Sequence, residues 1–128
     1  MFAQFVCHLV GDYVLQSGWM ANNKTQGWFP AFVHAIAYFL PFLLVFYPSM
    51  MASTVIAGTH FLIDRFRLAK YVAYANHFLS PRSEWKPWCE CSVTGYHKNT
   101  PPFLAVRLMI IVDNTMHLII NAAALAYL

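Results

Sequence analysis

The chain has 128 residues, of which 59% are hydrophobic, 17% aromatic and only 10% charged, against roughly 25% charged in soluble domains. So small a protein has a large surface to cover with polar groups, and this composition lacks them, which excludes intrinsic disorder and argues against a soluble enzyme. A net charge of +3 calls for no nucleic-acid partner, and three cysteines at no framework spacing (Cys7, Cys89, Cys91) imply no disulfide scaffold.

The sequence opens in an apolar run, Met1 to Val10, with neither a basic leader nor a small-residue cleavage site. That is the pattern of a first membrane helix and not of a removed signal. A helix that crosses a bilayer needs about 17–25 mostly apolar residues, and four segments meet this: about 2–20, 29–47, 50–71 and 103–128. Pro30 suits the first turn of the second span, Pro41 should bend it, and Pro48-Ser49 should reverse the chain. A polar loop, 80–102, precedes the last span, and its Cys89-x-Cys91 with His97 reads as plain loop. Trp19, Trp28, Tyr47, Tyr71 and Tyr127 fall near span ends, where amphipathic rings favour the headgroup region. The expected fold is therefore all-α, a four-helix integral membrane bundle in one transmembrane domain, 1–128.

The cations are one-sided. Lys24 lies in the first connection, and Arg65, Arg67, Lys70, Arg82, Lys86 and Lys98 lie at or after the end of the third span. Arg107 lies one turn into the fourth. With four spans these connections share one face, which the positive-inside rule makes cytoplasmic, so both termini are expected on the other side.

Aspartate within a span costs about 2.5–3.5 kcal/mol. This chain has three aspartates, all within expected spans, each four residues from a histidine: His8/Asp12, His60/Asp64 and Asp113/His117. Three of three at that spacing arises by chance on the order of once in a thousand. Spacing of four sets both side chains on one helix face. Gln16 and Asn121 extend two of these stripes, and His34, with Tyr38 one turn on, adds a fourth imidazole. Imidazole with carboxylate suits zinc, or else manganese or iron. Four His and three Asp exceed one tetrahedral ion and fit two ions sharing a bridging carboxylate. His8, Asp12, His34, His60, Asp64, Asp113 and His117 are thus the expected ligands.

The block His8-Leu9-Val10-Gly11-Asp12-Tyr13-Val14-Leu15-Gln16-Ser17, with Trp19-Met20-Ala21 and Lys24, resembles the N-terminal signature of a family of small, uncharacterised bacterial and phage membrane proteins. His34, the His60 to Asp64 stretch and Asp113-Asn114 with His117 resemble its later blocks, in the same order. The resemblance implies the bacterial inner membrane. The repeated His-x-x-x-Asp is also similar to membrane-bound metal-dependent hydrolases and to the zinc phospholipase C and single-strand nuclease superfamily, with Asp113/His117 in reverse order.

Several functional classes are open to such a chain: ion pairs that merely neutralise each other, a proton or metal-ion transporter or channel, a metal-dependent hydrolase, and a small pore-forming or membrane-disrupting factor. The hydrolase is the expectation. Water acidified by the metals would attack a phosphate ester, with Asp12, Asp64 or Asp113 as general base. Lys24, Gln16, Arg65, Arg67 and Arg107 are candidates for holding the substrate. At this depth the expected partners are membrane lipid and an amphiphilic, phosphate-containing substrate, and a homodimer is compatible with so few helices.

Overall fold

Helical periodicity without strand-like alternation yields an all-helical protein. The computed structural model describes residues 2–128, and among them are six α-helices and no strand. Helix α1, Phe2–Leu9, runs into a π turn, Val10–Val14, closed by the Leu15 N–H on the Val10 carbonyl at 2.9 Å. Ser17 then caps a short α2, Gly18–Asn23, its Oγ accepting from the Met20 N–H at 3.2 Å. The segment 2–20 expected as one span is therefore broken. Its physical reason is local: at Gly11 the backbone lies flush on Tyr38, where any Cβ would stand 2.6 Å from the Tyr38 carbonyl oxygen. The wide turn accommodates that approach with both His8 and Asp12 buried.

Helix α3, Trp28–Phe46, and α4, Met50–Phe66, form a hairpin. Tyr47 turns it at φ 47° ahead of Pro48, and Ser49 caps α4 through the Ala52 N–H at 3.1 Å. Pro41 lies inside α3, where the Cys7 thiol donates to the Pro41 carbonyl at 3.5 Å. The third expected span reaches Tyr71, but α4 stops at Phe66. There Arg67 turns left-handed at φ 49° and its N–H closes on the Asp64 and Ile63 carbonyls. Helix α5 covers Ala69–Ala75 and α6 Pro102–Tyr127. Of the six, α3 and α6 are long and apolar enough to cross a membrane.

The chain divides into two compact units. The first takes the described residues up to Arg67 together with His117–Leu128. Its small apolar core is Cys7, Tyr38, Phe42, Ala52, Ile56 and Ala124. The distribution around that core is inverted: Phe29 and Leu44 are 69% exposed and Met50 87%, while His8, His34 and His60 are 0% exposed. The second unit is Leu68–Met116. In it the Tyr74 hydroxyl donates to the Lys86 carbonyl at 3.0 Å, and the Tyr71 and Trp88 rings stack at 5.0 Å. Gly95, at φ 86°, brings the loop so close to the Lys70 carbonyl that no Cβ fits. The Lys98 ammonium and then the His97 imidazole donate to the Glu90 carboxylate and hold it below the ordinary carboxylate range. Cys89 and Cys91 are free thiols.

Candidate metal centre

Four helical segments of the first unit each bring a pair of side chains one turn apart. The α1–π segment brings His8 and Asp12, α3 His34 and Tyr38, α4 His60 and Asp64, and α6 His117 and Asn121. All eight are buried. Apolar neighbours alone would make such burial prohibitive for two carboxylates, so the site's own contacts must compensate for it.

Four of their atoms converge. His34 Nε2 lies 3.2 Å from Asp12 Oδ1, 3.0 Å from Asp64 Oδ2 and 3.1 Å from His60 Nε2. His60 Nε2 lies 3.8 Å from Asp12 Oδ1 and 3.3 Å from Asp64 Oδ2. A tetrahedral ion with bonds of about 2.0–2.1 Å sets its ligands about 3.3–3.4 Å apart. Five of the six distances among the four atoms thus lie within about 0.5 Å of those of a first-row coordination tetrahedron. They are also poorly satisfied by one another, because carboxylates only accept and each imidazole nitrogen carries either one proton or one lone pair. A cation among them resolves that conflict, and this group could hold a metal ion.

The remaining polar atoms orient these four. His60 Nδ1 lies 3.3 Å from His117 Nδ1, and His117 Nε2 lies 3.3 Å from Asp64 Oδ1. With His60 Nε2 free of its proton for a metal, its Nδ1–H donates to His117 Nδ1, and His117 Nε2–H donates to Asp64. On the other side Asn121 donates to Tyr38 Oη at 2.6 Å, and Tyr38 Oη lies 3.0 Å from His8 Nδ1. The Tyr38 hydroxyl then donates to His8, which leaves the His8 proton on Nε2, facing Asp12 Oδ2 at 3.9 Å. Each aspartate directs one oxygen into the tetrahedron and the other toward an outer histidine. Tyr38 also stacks on the His60 ring at 3.5 Å and 3°, fixing its plane. Such outer contacts set the tautomer and direction of metal ligands.

Of the seven expected ligands, Asp12, His34, His60 and Asp64 meet at one centre, and His8 and His117 lie behind the aspartates. Asp113 is half-buried on α6, one turn before His117, in the second unit. Of the expected substrate residues, Lys24 reaches the centre, with Nζ 2.7 Å from Asp64 Oδ2, 3.1 Å from His34 Nε2 and 3.9 Å from Asp12 Oδ1. Arg65 is committed elsewhere: it donates to the Thr25 carbonyl at 2.6 Å and lies over the Trp28 ring. Arg67 and Arg107 are exposed, and Arg107 packs over Phe103 in the second unit. Gln16 is half-buried, and its Oε1 has no hydrogen-bond partner among the described residues. Tyr38 and Asn121 sit on the expected stripes, each one turn past a site histidine. The pattern gives them no role, and the structure gives them one.

No curated protein and no solved structure matches the chain. The comparisons thus lend no support to the hydrolase resemblance of the His-x-x-x-Asp pairs. A family model described as "Protein of unknown function (DUF3307)" matches residues 1–128, and the protein belongs to that family.

Proposed function

We propose that the protein is a membrane-embedded, metal-dependent hydrolase acting on a phosphate ester of an amphiphilic substrate, with zinc the favoured ion and manganese or iron the alternatives. The observation that carries this reading is the convergence of two imidazole nitrogens and two carboxylate oxygens, with five of their six separations between 3.0 and 3.8 Å. Its mixed N/O donor set suits those ions and not magnesium or calcium, which favour all-oxygen shells. A membrane setting is supported by the inverted surface, with Phe29, Leu44 and Met50 outward and the histidines inward. In this reading the broken segment 2–23 and helices α3, α4 and α6 cross the bilayer. The Ser49 hydroxyl on the Leu128 carbonyl at 2.8 Å supports placing the α3–α4 turn and the C-terminus on one side.

Asp12, His34, His60 and Asp64 would hold a divalent ion, which would acidify a water and polarise a phosphoryl oxygen once a fifth position opened or one carboxylate let go. The residues around it do the rest. Asp12 and Asp64 balance the ion's two charges, so the Lys24 ammonium is left over and favours an anion at the rim. Lys24 is the exposed edge of the site, its side chain 17% accessible. His117 holds Asp64 Oδ1 with Nε2–H, and the His8 Nε2–H faces Asp12 Oδ2.

A cation pathway uses the same residue types, but four donor side chains gathered at one ion-sized centre fit holding a cation better than passing it on. The test is turnover of lipid and polyprenyl phosphates by the detergent-purified protein. Activity with added zinc, lost with chelator and in Asp64→Asn, is expected. No turnover by zinc-loaded protein, together with ion flux in liposomes that Asp12→Asn abolishes, would select the pathway instead.

A further inference from the structure

We infer that Lys24 is a built-in occupant of the cation site, and that a divalent ion enters by displacing it. The inference rests on the metal-binding reading and adds to it a competitor inside the chain. Its basis is one atom. His34 Nε2, fully buried, has a single lone pair to give. The Lys24 ammonium stands 3.1 Å from it and 2.7 Å from Asp64 Oδ2. A metal ligated by His34 takes that same lone pair, so the two cations exclude each other at His34.

Charge leads to the same exchange. Two carboxylates and one ammonium leave the buried cluster with one negative charge too many. A divalent ion in place of the ammonium balances them, and the lysine leaves with its proton, so nothing is protonated or deprotonated in the exchange. The geometry permits the movement. Lys24 follows α2 in a turn whose backbone is held by Lys24 N–H on the Met20 carbonyl and Gly27 N–H on the Asn23 carbonyl. Arg65 pins the next residue, Thr25, through its carbonyl. The backbone can stay while the four-carbon stem swings toward solvent or headgroups. The metal affinity of the wild-type site is then lower than its ligand set allows, and each bound ion releases an ammonium at the rim, where a substrate anion must pass.

The test is titration of the chelator-stripped, full-length protein in detergent with zinc alone, against a chromophoric competitor. Wild type, Lys24→Met, Lys24→Gln and Lys24→Arg are compared, with helix content checked by circular dichroism. Zinc affinity at least tenfold tighter in Lys24→Met or Lys24→Gln than in wild type, with Lys24→Arg close to wild type, is the expected result. Zinc binding by wild type that is unchanged or weaker in both neutral variants overturns the exchange and leaves the metal site standing. No zinc binding by any of the four overturns both. Reading two neutral variants keeps the result decisive if one of them fails to fold.

Discussion

Replacing Gly11 with alanine should damage this protein well beyond the loss expected of one added methyl group. The new Cβ would stand 2.6 Å from the Tyr38 carbonyl oxygen and 2.9 Å from its Cα, about 0.8 Å inside the 3.4 Å at which ordinary contact begins. Both obstructing atoms are backbone, so no side-chain rotation relieves the clash and the π segment must move off α3. Forcing a methyl group into such a contact costs about 1–3 kcal/mol. The displacement acts where Tyr38 meets His8 and stacks on His60, so zinc affinity should fall with stability. Gly58, in the middle of α4, is the internal control: a Cβ there meets nothing within 4 Å. Gly58→Ala should stabilise by about 0.5–1 kcal/mol through helix propensity. Thermal unfolding in detergent, followed by circular dichroism with and without zinc, separates the two. A Gly11→Ala protein as stable as wild type, with zinc affinity intact, would refute the close approach of the π segment to α3 and its link to the site.

Four further outcomes are expected, three at the metal centre and one in the second unit. Tyr38→Phe keeps the ring on His60 but removes the hydroxyl that joins Asn121 to His8, and should cost about 1–3 kcal/mol in the same unfolding assay. His117→Ala should weaken zinc binding by about 10–100-fold without abolishing it, because His117 orients ligands from behind. His34→Ala should abolish binding, and competition titration distinguishes the two. In the second unit, Glu90 is held below its ordinary range by Lys98 and His97, so its stabilisation is present above that range and is lost as pH falls through the depressed value. Protection of amides 90–98 from deuterium exchange, corrected for intrinsic rates, should fall as pH drops through and below the ordinary carboxylate range in wild type and stay level in Glu90→Gln.

The sequence makes the polar stripes visible because i, i+4 spacing is a property of the helix alone. His8, Asp12, His34, His60, Asp64 and His117 could be picked out before any packing was known. The bounds of α3 and α6 are legible for a similar reason, since long apolar runs end at Gly27, Pro48 and Pro101. The break after Leu9 is not, because it depends on Gly11 meeting Tyr38 across a helix pair, and composition over a window averages that away. The stop at Arg67 is equally hidden, a single left-handed residue inside a continuous apolar pattern. Lys24 is the least legible of all. It lies twelve residues beyond Asp12 in a polar turn, and only the path of α2 reveals that its stem leads back to Asp64 rather than outward. The division of labour among the histidines also escapes the sequence. His34 and His117 differ only in which neighbours their two nitrogens meet.

Metal content tests the central claim most directly. Detergent-purified wild type and Asp64→Asn, equilibrated with zinc and freed of loose ions, should differ on elemental analysis: at least about one ion per chain in wild type and almost none in the variant. Equal content in the two proteins, or none in wild type, would contradict the claim that these buried carboxylates and imidazoles jointly hold a metal.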